Sequence, residues 1–160
     1  MVKSLLAKYS NAHGISGREG SIADAIRSEL EPCVDEVRTD SMGNLIAVKK
    51  GGDFTIMLAA HMDEIGLMVR FIDENGFIHF VPFGGWHPPT LYSQRVVVHG
   101  SKGRLYGVVG AKPPHIMTDE ERKKELKIED MFVDIGATSR EDAGELGVEI
   151  GTPITIDREL

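Results

Sequence analysis

Thr55-Ile56-Met57-Leu58-Ala59-Ala60-His61-Met62-Asp63-Glu64-Ile65-Gly66 is the stretch on which the reading of this chain turns. Six apolar or small residues run without a break and then give way to a histidine and two acids. A continuous run of this kind suits a strand buried on both faces of an α/β sheet. Polar residues at the carboxyl end of such a strand lie where open α/β sheets place their sites. Upstream, Leu5, Leu6, Tyr9 and Ala12 fall near helical spacing, and Ile22, Ile26 and Leu30 recur every fourth residue as the stripe of a second helix. Ser16 and Glu19 stand in the S-x-x-E relation of a capping box, and Pro32 ends the second helix. Val34–Thr39 and Leu45–Lys49 read as strands, with Gly51-Gly52-Asp53 as a hairpin connection into the apolar run.

Downstream of Gly66 the texture changes. Leu67–Ile72 and Phe77–Phe83 flank Asn75-Gly76, a dipeptide suited to a two-residue hairpin turn. Arg95–His99 and Arg104–Val109 form a second hairpin around Gly100–Gly103, and Met131–Ile135 and Pro153–Ile156 add short strands. Short strands punctuated by glycine predict a small barrel or sandwich. The chain therefore divides into an α/β part and a β-rich part. Between the later strands, Asp119–Asp130 is a dense run of mixed charge in which only Leu126 and Ile128 are apolar. Its composition predicts a solvated helix or mobile loop.

Composition narrows the function classes. Across 160 residues, 41% hydrophobic and 27% charged content suffices for a core and excludes global disorder. A net charge of −7 argues against non-specific binding to nucleic acid or to an anionic membrane surface. No apolar run approaches the length of a spanning helix, and the first residues carry no signal-peptide pattern. The single cysteine, Cys33, allows no internal disulfide, which fits a reducing compartment, and the expected location is cytoplasmic.

The His-x-Asp pattern at His61 and Asp63 has two readings on its own. One is a hydrogen-bonded polar cluster. The other is a metal site, in which the imidazole binds through one nitrogen while a carboxylate holds the other ring N–H, or both side chains are ligands. The other five histidines are scattered, no phosphate loop or nucleophile elbow is present, and Cys33 has no partner at zinc spacing.

Taken in order, several segments resemble the TET-type metallo-aminopeptidases, a family that includes the bacterial glutamyl aminopeptidases. They are Gly14–Glu19, Asp40–Ile46, Ala60–Gly66, Gly84-Gly85, Pro113-Pro114-His115, Asp134–Ala137 and Ser139-Arg140-Glu141. The resemblance implies a catalytic α/β domain with two divalent metals, zinc or cobalt, and an inserted β-barrel-like dimerisation domain. It places residues 1–66 in the first part of the catalytic domain, 67–155 in the dimerisation domain, and 156–160 on the return toward the catalytic domain. It makes His61 a metal ligand and Asp63 the catalytic-set carboxylate that holds it. It implies peptide substrates and a homo-oligomer, a dimer or a dodecamer. Family members are about twice this length, and their bridging aspartate, glutamate base and remaining ligands have no match here. The expectation is the N-terminal portion of a divalent-metal-dependent aminopeptidase, inactive alone. The alternatives are a non-catalytic assembly module of such a peptidase and, last, a polysaccharide hydrolase, for which no diagnostic pair of carboxylates is evident.

Overall fold

The computed structural model describes residues 2–159, which fall into two compact units, residues 2–64 with 158–159 and residues 65–157. The first unit opens with helices α1 (Val2–Ser10) and α2 (Gly20–Leu30), tied by an ion pair between Lys8 and Glu29. Ile22 on α2 and Ile15 in the preceding loop are buried, while Ile26 and Leu30 are half-buried, so the predicted stripe is the inward face. Pro32 sits in a short 3-10 turn, Glu31–Cys33, that closes α2. Strands β1 (Glu36–Thr39) and β2 (Leu45–Val48) then pair antiparallel, Glu36 opposite Val48. Asp40 shapes their turn, its carboxylate accepting from the Met42 and Asn44 amides.

Three sequence expectations for this unit are corrected. Thr55–Ala60 forms no strand, and Gly51-Gly52-Asp53 joins no hairpin. Ile56, Met57 and Leu58 stand 72%, 84% and 93% exposed. A strand buried on both faces needs neighbours on both edges and both faces, and β1 and β2 pair only with each other. The capping box is also absent. Glu19 precedes α2 with no side-chain cap and accepts instead from the Gly17 amide, while the Ser16 hydroxyl is engaged elsewhere.

The second unit is a closed six-stranded barrel. Its strands are β3 (Gly66–Ile72), β4 (Ile78–Phe83), β5 (Arg95–Gly100), β6 (Gly103–Ala111), β7 (Met131–Asp134) and β8 (Pro153–Ile156). They close in the order β3-β4-β7-β6-β5-β8. Alternation puts Leu67, Val69, Ile78, Val96, Val98, Val109, Val133 and Ile154 inside, each almost wholly shielded from solvent. Closure leaves no strand edge to cover. The β3–β4 connection is longer than two residues. The Asp73 amide donates to Phe77 O, and Asp73 Oδ1 accepts from the Asn75 and Phe77 amides. Only Gly76 takes a left-handed φ, +86°, and a Cβ there would lie 2.7 Å from Ala137 O. Helices α3 (Pro88–Leu91), α4 (Asp119–Arg122) and α5 (Arg140–Glu145) lie in the loops. The charged run carries its own local order. A capping box between Thr118 and Glu121 starts α4, Lys112 pairs with Glu121, and Leu126 and Ile128 pack on the barrel core. No helix among the described residues is long and apolar enough to cross a membrane.

Candidate metal-ligand site

His61 and Asp63 follow the extended apolar run, and the chain is anchored immediately after them. Glu64 forms a parallel bridge with Ile15, its amide donating to Gly14 O at 2.8 Å. Ile15 is 1% exposed and fixes the other side of this bridge by burial. Gly14 is required there, since a Cβ would stand 2.4 Å from Ile22 Cγ2. The loop Gly14–Ser16 is thus held beside residues 63–64 by main-chain bonds and a buried side chain, although about fifty residues separate the two segments.

The side chains meet on this frame. His61 Nδ1 lies 3.1 Å from Asp63 O and 3.2 Å from Asp63 Oδ1. Both partners are acceptors, so Nδ1 carries the proton. In the neutral ring the lone pair is then on Nε2, on a side chain that is 86% exposed. The other Asp63 oxygen, Oδ2, accepts from the Ser16 hydroxyl. This bond and the His61 contact hold the Asp63 carboxyl below the usual carboxylate range, against the opposing effect of partial burial. The neighbouring Glu64 goes the other way. Burial raises its pKa, offset in part by the Gly14 amide, which donates to Oε1 at 3.4 Å, and by Arg158.

The structure brings His61 and Asp63 into contact and adds a contact from Ser16, a residue whose spacing to Glu19 reads as a helix cap. No local pattern could have supplied that contact, because it spans 47 positions. Two other histidines have partners within the barrel unit. His79 stacks on Phe71 and contacts Asp73 at 3.3 Å, and His99 meets Thr155 at 2.9 Å. Among the described residues, no group of three or more His, Cys, Asp or Glu side chains is placed to hold a metal ion. The chemistry of the donor set is therefore that of one oriented imidazole, which fits a single ligand of a divalent ion and not a whole site.

An α/β segment ending in a His61–Asp63 contact, followed by a closed barrel, is an arrangement that comparison with known proteins assigns to a peptidase family. The chain belongs to the M42 glutamyl aminopeptidase family, whose model matches residues 43–160. A lysyl aminopeptidase of Pyrococcus furiosus is 43% identical over 150 residues, covering 92% of this chain and 43% of that protein. The crystal structure of a TET aminopeptidase from the marine sediment archaeon Thaumarchaeota archaeon SCGC AB-539-E09 matches with a TM-score of 0.91 at 41% identity, covering 96% of this chain and 44% of that one. The TET1 peptidase of Pyrococcus horikoshii, described as assembling into a tetrahedron or a large octahedral shell, matches at 0.86 and 37% identity, over 98% and 47% of the two chains. The chain thus spans less than half the length of these relatives.

Proposed function

We propose that this chain is the N-terminal portion of a divalent-metal-dependent aminopeptidase that removes N-terminal residues from peptides. In that reading His61 is a metal ligand through Nε2 and Asp63 is the carboxylate that fixes its tautomer. The observation that carries the assignment is the Nδ1 contact of His61 with Asp63, which leaves Nε2 as the outward lone pair. Two divalent ions, zinc or cobalt, would polarise the scissile carbonyl and acidify a water when bound. The remaining ligands and the general base would come from sequence outside these 160 residues, in line with the share of each relative that the chain covers. The chain by itself would then be inactive.

Assembly belongs to the same reading. Residues 67–155 would be an inserted dimerisation domain. The outward stripe of β6 supports a partner that is a second copy of the chain. Tyr106 and Val108 are 62% and 47% exposed there, beside the exposed Arg104 at one end and, across the ladder from Val108, the exposed Asp134 at the other. A two-fold axis near Tyr106 would set Arg104 of one copy toward Asp134 of the other, which is the self-complementarity an isologous interface needs.

The test is a full-length family protein carrying these residues, assayed on Glu-, Leu- and Lys-anilides and on a soluble glucan. Turnover of anilides that is lost on chelation and lost in His61→Ala supports the reading. Activity that survives both, or hydrolysis of the glucan alone, refutes it. Turnover by the 160-residue chain at the full-length rate would refute its proposed inactivity. Full anilide activity in a protein lacking residues 1–66 would favour a purely assembling role.

A further inference from the structure

We infer that Ser16 is a positioning residue for His61, acting through Asp63: its hydroxyl holds one carboxylate oxygen so that the other faces the imidazole. The inference rests on the reading of His61 as a metal ligand and extends it to a residue outside the His-x-Asp pattern.

A carboxylate two residues from a histidine is not automatically oriented. The Asp63 side chain can turn about two bonds, and its two oxygens are chemically equivalent until something distinguishes them. Here the Ser16 hydroxyl does so. A hydroxyl beside a carboxylate has only acceptors in front of it, so it donates, and it donates to Oδ2 while His61 Nδ1 lies against Oδ1. The plane of the carboxyl group is then fixed by one bond on each oxygen. Ser16 is itself held. Ile15 is buried, Gly14 and Glu64 are paired through main-chain atoms, and Gly17 takes φ +81°, which turns the chain out of the loop directly after the serine. The order of constraint therefore runs from a buried isoleucine to a hydroxyl, to a carboxylate, and to the ring nitrogen that leaves Nε2 open.

Ser16 is half-buried, and no second role is evident for its side chain, since α2 starts at Gly20 without a side-chain cap. The arrangement is not a nucleophilic triad. Asp63 lies between the serine and the histidine, so the hydroxyl has no base to take its proton.

The experiment reads the tautomer of His61 from its ring ¹⁵N shifts in the metal-free 160-residue chain, at a pH where the ring is neutral. The parent chain is expected to show the Nδ1–H form. Ser16→Ala is expected to shift the ring nitrogens toward averaged tautomers, and Ser16→Thr, which keeps the hydroxyl, to restore the parent pattern. Zinc affinity should fall roughly tenfold in Ser16→Ala, the low end of what partners behind a ligand contribute. In an Asp63→Ala background, Ser16→Ala should shift nothing further, because the serine acts only through that carboxylate. Parent-like shifts in Ser16→Ala, loss of the pattern in both Ser16→Ala and Ser16→Thr, or an undiminished effect in the Asp63→Ala background would each overturn the inference. The ligand reading fails separately, if His61→Ala leaves zinc uptake unchanged.

Discussion

Leu58→Asp places a charge in the middle of the apolar run and discriminates sharply between two environments for it. In a strand buried on both faces, the change would forfeit the burial of a leucine, about 1.5–3 kcal/mol. It would add the cost of an unpaired buried carboxylate, several kcal/mol more or a shifted protonation state. The structure leaves Leu58 93% exposed, so only a small fraction of a leucine's burial is at stake. The expected change is within about 0.5 kcal/mol, as for other surface substitutions. Ile154→Ala supplies the scale. Ile154 is fully buried between Leu67 of β3 and Val98 of β5, and its truncation should cost about 2–5 kcal/mol. The single tryptophan, Trp86, packs on the barrel core with its indole N–H bonded to Gly66 O and Phe83 O, so fluorescence in urea follows the barrel unit and reads the Ile154 control. Leu58 lies in the other unit, so its effect is read by hydrogen exchange at the Ala23 and Glu64 amides, which donate to Glu19 O and Gly14 O. Unchanged protection at these amides in Leu58→Asp is the expected result. Loss of protection by a factor corresponding to several kcal/mol would show that Leu58 is buried in solution and refute the reasoning.

On the proposed β6 interface, Tyr106→Glu should convert a dimer of the chain to a monomer whose barrel is still folded, since the side chain lies outside the barrel; light scattering coupled to size exclusion and Trp86 fluorescence check it, and an unchanged dimer would exclude the β6 stripe as the interface. Lys112 and the Thr118 amide hold the Glu121 carboxyl at about 2, below its ordinary 4.5. A depressed carboxylate lends its stabilisation above the unfolded pKa and loses it as pH falls toward the folded one. The Thr118 amide shift should therefore stay constant from neutral pH down to about 4.5 and move only as pH approaches 2. Movement centred on the ordinary glutamate range would show that the cap and ion pair do not form.

How much of this was legible in the sequence depends on the range of the interactions involved. The barrel strands announce themselves because alternation is a local pattern. Ile78 and Phe80 of β4 and Met131 and Val133 of β7 are buried with half-buried residues between them, whereas β3 breaks the period at the irregularity between Val69 and Phe71. The α2 stripe is legible for the same reason. The run Thr55–Ala60 reads as a strand buried on both faces yet forms none, because an apolar run reports what a segment can bury and not whether neighbours are there to bury it. Ser16 and Glu19 fit a capping box by spacing, yet the serine finds Asp63 across 47 positions, and a charge-assisted bond to a carboxylate outweighs a neutral cap. The β3–β4 connection, residues 73–77, exceeds two residues because Asn75-Gly76 signals a left-handed residue without specifying how many precede it. Asp73, by bonding the Asn75 and Phe77 amides, sets the longer loop.

The topology of the barrel bears directly on how such a unit can sit inside another domain. The first strand of the unit, β3, and the last, β8, are hydrogen-bonded neighbours, with Leu67 opposite Ile154 and Met68 opposite Pro153. They run antiparallel, so the chain enters at Gly66 and leaves after Ile156 at the same end of the barrel. A unit whose ends lie side by side interrupts a host domain at little cost, because the host chain need only part by the spacing of two strands. Closure matters equally. Every strand has two partners, so the barrel asks nothing of the host to complete its hydrogen bonding. The first unit has the opposite character: its longest apolar run is unpaired, while the residues after that run are pinned by Ile15 and Glu64. His61 lies between that unpaired run and the Ile15–Glu64 bridge, a few residues before β3 begins the closed barrel.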